Sequence, residues 1–291
     1  MNAMPKMMAC ILLCVVGIVV APTAERKDVA IPWGAMYTPN EYLTEAGMTG
    51  CVKHYRGSSG AAQLRGDLAF AEAAGVRLIL TLGGTSAASY LDEQDAIDMQ
   101  IVRRELEPFL DIAEDIRPYI ESGTVWGIRF MDEPHDPGGF PASFDVDPGQ
   151  LSDCYAILRG AFGDVAVGST APPEYMCRVP DAGLAFGQLV HSKLPDEFGN
   201  PLDFFRKQSE LAHACGLRFV ASINANTNAV DNRTFFQTYR GMCAIPTVDF
   251  ATAWQWPQGN HTEQPSFELR FHDPDAAVQS EIAGVPEACR R

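Results

Sequence analysis

Eight apolar, strand-like segments alternate with helix-like stretches along this chain, and no other feature restricts its fold so tightly. The strand candidates are residues 31–37, 50–55, 76–82, 125–131, 165–169, 184–190, 217–223 and 248–254. Helix candidates intervene at 61–74, 95–120, 151–162, 202–215 and 234–242. Strands that alternate with helices build a parallel sheet, because parallel neighbours need a crossover long enough to hold a helix. Gly75 and Gly216 each follow a helix candidate and lead straight into a strand, as helix-terminating glycines do. The 291 residues exceed the ~250 that one closed barrel of eight strands needs. The reading is an α/β chain forming a single (β/α)8 TIM barrel. An open, doubly wound sheet is the runner-up, and the missing G-x-G-x-x-G after the first strand counts against it.

The N-terminus reads differently from the rest. Residues 1–8 carry Lys6, residues 9–20 are an uncharged apolar run, and Ala21-Pro22-Thr23-Ala24 precedes the first acid, Glu25. That is the three-part layout of a secretory signal peptide, and the run is short for a membrane span. Residues 1–24 are therefore read as a leader and 25–291 as the barrel domain, secreted or periplasmic. The formal net charge is −15; loss of the leader removes one cation and no acid, leaving −16. Such a balance argues against nucleic acid or an anionic membrane as partner.

Cys10 and Cys14 fall in the leader, and Cys51, Cys154, Cys177, Cys215, Cys243 and Cys289 remain. Six cysteines in an oxidising compartment allow 15 pairings, and spacing chooses none of them. Cys215 and Cys243 sit near helix ends, where buried thiols are an equal reading. No C-x-x-C occurs, and the histidines are scattered without metal-ligand spacing. No metal and no cofactor is expected. Asn232-Arg233-Thr234 and Asn260-His261-Thr262 fit the N-glycosylation acceptor pattern.

The chemistry concentrates where the fourth strand stops, at Phe130-Met131-Asp132-Glu133-Pro134. In a barrel of this kind the active site lies at the C-terminal ends of the strands. Strict alternation puts Trp126, Ile128 and Phe130 on one face and Gly127, Arg129, Met131 and Glu133 on the other, the lumen. Glu133 is then aimed at the mouth, with Asp132 beside it. The same strand end adds His135, and the other strand ends supply Tyr37, His54, Tyr55, Tyr175, Gln188, His191, Asn224, Trp254 and Trp256. Aromatic faces pack on the C–H faces of sugar rings, and amides and acids bind hydroxyls, so this inventory suits a carbohydrate. Trp254 and Trp256 are both substrate-binding candidates, with at least one expected in the pocket; outer-face packing on helices is the competing reading for either. No G-x-S-x-G elbow points to a serine nucleophile.

With those residues in view, the chain resembles (β/α)8 glycoside hydrolases, which place an acid/base glutamate after the fourth strand, often as Asn-Glu-Pro, and an aromatic residue after the eighth. Asp132-Glu133-Pro134 and Trp254-Gln255-Trp256 look like those two marks. The retaining members carry a second glutamate after the seventh strand, where this chain reads Ser222-Ile223-Asn224-Ala225-Asn226, without a carboxylate. Asp132-Glu133 is also similar to the Asp-Glu pair of the substrate-assisted hexosaminidases of glycoside hydrolase families 20 and 123. That resemblance implies that Asp132 polarises the substrate's acetamide and Glu133 acts as general acid, then base. A tyrosine would hold the acetamide oxygen, with Tyr37, Tyr55 and Tyr175 as candidates. A two-carboxylate route would draw its second acid from Glu174, Asp196 or Glu197. The alternative to an enzyme is a non-catalytic carbohydrate-binding barrel that has lost the strand-seven nucleophile.

Overall fold

The computed structural model describes residues 30–93, 96–136, 146–190, 199–254, 256 and 266–290. The leader, His191, Asp196, Glu197, Gln255 and the sequon at Asn260 lie outside them. Eight strands form one parallel sheet: β1 (Trp33–Ala35), β2 (Gly50–Tyr55), β3 (Arg77–Leu82), β4 (Val125–Asp132), β5 (Val167–Thr170), β6 (Leu184–Leu189), β7 (Arg218–Asn224) and β8 (Phe250–Trp254). From β2 to β8 each strand pairs with its sequence neighbours, and β8 pairs with β1. The last seam, β1 to β2, is narrower. It closes through a Met36–Val52 bridge, with the Tyr37 N–H donating to the Val52 carbonyl at 2.8 Å. Gly34 permits this approach, since a Cβ there would lie 2.0 Å from the Gly50 carbonyl oxygen. All eight segments read as strands are strands, and the eightfold barrel stands.

Crossover helices pack outside: α1 (Asn40–Glu45), α2 (Gly57–Ala74), α3 (Met99–Leu110), α4 (Ala113–Glu121), α5 (Pro148–Phe162), α6 (Pro173–Met176), α7 (Pro201–Ala214) and α8 (Asn232–Cys243). The single helix expected over 95–120 is two, broken at Ile112, whose φ of −110° and ψ of 16° leave the helical region. Pro108 and Pro118 each remove an internal N–H donor from that stretch, which weakens a continuous helix. The tail folds as α9 (Phe267–Phe271), α10 (Ala276–Ala283) and α11 (Val285–Ala288) and docks on α8. No described helix is long and apolar enough to cross a membrane.

Two disulfides are present, Cys177–Cys215 and Cys243–Cys289, so Cys215 and Cys243 are bonded rather than buried thiols. The second ties α8 to the tail, whose end also accepts a hydrogen bond from the Ile31 N–H at the Cys289 carbonyl, 2.7 Å away. Cys51 and Cys154 are free and buried. Inside the barrel, Met36, Val52, Ile79, Trp126, Leu184, Phe186, Val220 and Phe250 fill the lumen. Trp126 packs at a tilt against Phe250 with centroids 5.2 Å apart, and Arg218 covers the indole while donating to the Trp126 carbonyl at 2.8 Å. This apolar plug seals the floor, so any polar chemistry sits at the other end.

Candidate active site

β4 carries the acids to the mouth along an irregular path. Its pairing gains one residue against β3, Val125 to Gly127 opposite Leu78 to Ile79. It gains another against β5, Arg129 to Asp132 opposite Gly168 to Thr170. Each extra residue reverses the inward and outward alternation, as a β-bulge does. Trp126 therefore points into the lumen and Met131 into the helix-side core, both opposite to strict alternation, while Arg129 keeps its lumen position. Met131 has φ 62° and Glu133 φ 48°, left-handed values that non-glycine residues rarely hold. The surroundings fix them. The Ser169 hydroxyl donates to the Phe130 carbonyl, the Asp132 N–H to Thr85 O at 2.6 Å, and the Glu133 N–H to Thr170 O at 3.1 Å.

The result brings Asp132 beside Arg129. The guanidinium is fully buried and donates to Thr81 Oγ1 at 2.8 Å, Thr170 Oγ1 at 3.0 Å and the Tyr37 hydroxyl at 3.1 Å. Asp132 Oδ1 lies 3.7 Å from Arg129 Nη1, an ion-pair distance beyond a hydrogen bond. That oxygen is buried and accepts no hydrogen bond among the described residues. Burial opposes the Arg129 charge, but Tyr37, Asp132 and Glu133 outweigh it and hold the guanidinium above its ordinary range.

Glu133 lines a cleft of about 230 Å³ between the ends of β4, β5 and β6 and the flank of α7. Its lining mixes polar side chains (His135, Asp136, Thr170, Gln188, Gln208) with apolar ones (Phe186, Val190, Phe204). Across the mouth, Tyr37 sits edge-on to Trp254 at 5.8 Å and 6.5 Å from His54. His54 Nε2 donates to the Gly83 carbonyl at 2.7 Å. Burial pulls the His54 pKa down, Gly83 opposes it, and Arg129 and Arg56 add to the lowering, so the ring is uncharged near pH 7. Asn224 ends β7 opposite Trp254 and accepts the Asn226 N–H at 2.8 Å.

Three expected site residues are elsewhere. Tyr55 points outward, and its buried hydroxyl donates to Asp67 on α2 at 2.9 Å, because odd positions of β2 face the helices. Trp256 is buried among Tyr42, Phe267 and Phe271 beneath the tail, leaving Trp254 as the tryptophan at the mouth. Tyr175 is buried behind His135, ring centroids 5.9 Å apart, with its hydroxyl donating to the Val146 carbonyl at 2.6 Å. Glu174 is exposed and accepts from Gln208 at 2.7 Å. Conversely, Asp136, Phe186, Phe204 and Gln208 are cleft residues that the sequence reading passed over. Gln208 lies on a helix, outside any strand-end inventory. Arg129 carried a signal, since a lone cation on the lumen side of an apolar strand needs buried partners. Among the described residues no three His, Cys, Asp or Glu side chains converge as a metal site.

The barrel is similar to several solved structures. An endo-1,4-beta-mannanase from Rhizomucor miehei superposes with a TM-score of 0.60 at 9% identity, covering 89% of this chain and 95% of that one. The exo-beta-1,4-mannosidase Op5Man5 from Opitutaceae bacterium strain TAV5 gives 0.58 at 13%, covering 90% of this chain and 61% of that one. A D-psicose 3-epimerase from Clostridium cellulolyticum H10 gives 0.51 at 9%, covering 89% and 96%. No protein-family model and no curated protein matches the chain in sequence. At these identities the likeness establishes the fold that glycoside hydrolases share with an epimerase. Activity has to be argued from the site.

Proposed function

We propose that the chain is a secreted glycoside hydrolase in which Glu133 is the general acid and then base, and Asp132 its partner. The observation that carries this reading is the pair itself. Glu133 opens onto the cleft at the C-terminal end of β4, while Asp132, one residue earlier, keeps a buried oxygen without a hydrogen bond among the described residues. A buried acceptor left open at a barrel mouth suits a donor on the substrate. The N–H of a 2-acetamido group is such a donor. In the substrate-assisted route, Asp132 accepts that N–H while the acetamide oxygen attacks the anomeric carbon and Glu133 protonates the departing oxygen. Glu133 then takes a proton from water as it opens the cyclic intermediate.

Two features favour this route over a protein nucleophile. β7 ends in Asn224, an amide where a retaining enzyme of the resembling kind carries a glutamate. Tyr37 accepts its hydrogen bond from Arg129, so its own proton is left to donate to an acetamide oxygen. Asp136, in the same cleft as Glu133, is the second acid that a two-carboxylate route would use. Asn224 also supports the reading of a non-catalytic sugar-binding barrel. The disulfides fit an oxidising compartment, in line with export by a leader of residues 1–24.

The test is hydrolysis of a panel of aryl glycosides and polysaccharides by wild type, Glu133→Gln and Asp132→Asn. Release of N-acetylhexosamine, lost in both variants, is the expected result. Cleavage only of sugars without an acetamide would transfer the role to Asp136 and a two-carboxylate route. Binding without cleavage would establish the sugar-binding barrel instead.

A further inference from the structure

We infer that Arg129 is a positioning residue that sets the mouth-facing groups Asp132 and Tyr37 from beneath; this rests on the reading of Asp132 and Glu133 as the reacting pair. Arg129 never meets substrate, because it is fully buried. Its donors reach three other strands: Thr81 on β3, Thr170 on β5, and Tyr37 just past β1. A rigid planar fork that spans the lumen in this way fixes direction as well as charge, which a lysine ammonium on a flexible stem does not.

The groups it reaches are the ones that need holding. Tyr37 has φ 65°, a left-handed value that a bulky residue keeps only when its surroundings impose it. Its hydroxyl has one hydrogen-bond donor among the described residues, Arg129 Nη2. Asp132 follows the left-handed Met131, and its nearest cation is Arg129 Nη1 at 3.7 Å. The other ionisable groups that share this field are Glu133 on the same strand end and His54 on β2. A separation of 3.7 Å leaves the carboxylate paired in charge but uncommitted in hydrogen bonding, so it is held in place while open to a substrate donor. Thr81 and Thr170 complete the arrangement by accepting from Nε and from Nη1, the nitrogen nearest Asp132, which pins the guanidinium from two further strands.

The experiment uses the full chain labelled with 3-fluorotyrosine, the Tyr37 ¹⁹F resonance being assigned by Tyr37→Phe. Arg129→Lys keeps the charge and loses the fork. Arg129→Met removes both and fills the space, and Thr81→Val, which removes one support of the fork and leaves the arginine in place, is the milder variant should neither fold, each checked by circular dichroism and melting. Expected in any folded variant is a displaced and broadened Tyr37 resonance. Where the wild type hydrolyses a glycoside, kcat falls about 10²-fold with KM changed less than about 3-fold, since misplacement of a reacting group is felt in the transition state. A lowered melting temperature with the resonance and kcat unchanged would make Arg129 merely structural and overturn the inference. A displaced resonance in the variants, with a wild type that cleaves no sugar, would keep the positioning role and remove the hydrolase reading instead.

Discussion

Strands β4 and β7 lie on the same sheet and run the same way, yet only one follows the rule that side chains alternate. β7 pairs one-to-one with both neighbours: Ala221, Ser222 and Ile223 stand opposite Gly187, Gln188 and Leu189 on one side and Ala251, Thr252 and Ala253 on the other. β4 holds two extra residues, two left-handed residues at or just past its end, and Asp132, with Glu133 directly after it, the two acids proposed to react. The contrast coincides with the strand end where the acids are proposed to act. A regular strand presents one inward residue in two. A bulged strand end can turn consecutive residues such as Asp132 and Glu133 to the same mouth. β7 ends instead in an amide whose oxygen accepts from its own loop.

The sharpest way to break this comparison is Glu133→Gln, which should lower hydrolysis by about 10²- to 10⁴-fold with the melting curve preserved, as loss of a general acid does. An unchanged rate would move the chemistry off β4. The next largest effect belongs to the β7 side. The loop after β7 is held by Arg270 from the tail, which donates to the carbonyls of Ala225 (2.9 Å), Thr227 and Val230 (3.2 Å) and to Asn232 Oδ1 (2.6 Å). Arg270→Ala should cost about 3–5 kcal/mol in denaturant unfolding, because several buried carbonyls lose their donor. The same bonds engage the Asn232 amide of the sequon, whose Nδ2 also donates to Asp273.

Met131 tests the strain directly. Met131→Ala should destabilise by about 2–5 kcal/mol as a buried side chain is lost. Met131→Gly should cost about 1 kcal/mol less than the alanine, because glycine accepts a left-handed φ. On regular β7 the order reverses: Ala221→Gly should destabilise by roughly 0.5–1 kcal/mol or more. Equal behaviour of glycine at both positions in a chemical-denaturation series would remove the argument from strain.

His54 supplies a pH test. Its folded pKa is depressed by burial, so below the ordinary histidine value the unfolded chain takes a proton that the folded chain refuses. Stability should be complete above about pH 6.5 and fall with acidification, the loss levelling off below the folded pKa. His54→Asn should flatten that part of the stability profile, and an undiminished slope would show that other groups carry it. The smallest effect is expected at Asn224→Asp: N-acetylhexosaminide hydrolysis should stay within about 2-fold, since substrate-assisted cleavage needs no second carboxylate. A large gain in rate would reveal a barrel waiting for its nucleophile.

Several features were legible from composition and spacing alone. The eight strands were, because short apolar runs bounded by glycines and helices carry their own signature. So were the facing of β3 and β7, where Leu78, Leu80 and Leu82, and Phe219, Ala221 and Ile223, pack toward the helices as alternation requires. Glu133 at the mouth followed from its place at a strand end. The outward turn of Met131, the pairing of Asp132 with Arg129 and the joint cleft of Glu133 with Asp136 and Gln208 were not. Each depends on how many residues one strand advances against its neighbour, or on a helix brought alongside by the barrel's closure. The same limit applies to Tyr55 and Trp256, aromatic residues at strand ends that the packing of α2 and of the tail draws away from the mouth. Local sequence determined the number, order and direction of the strands, since those follow from backbone preferences and hydrophobic period. Register and burial decided which side chains meet, because both are set by contacts between residues far apart in the chain.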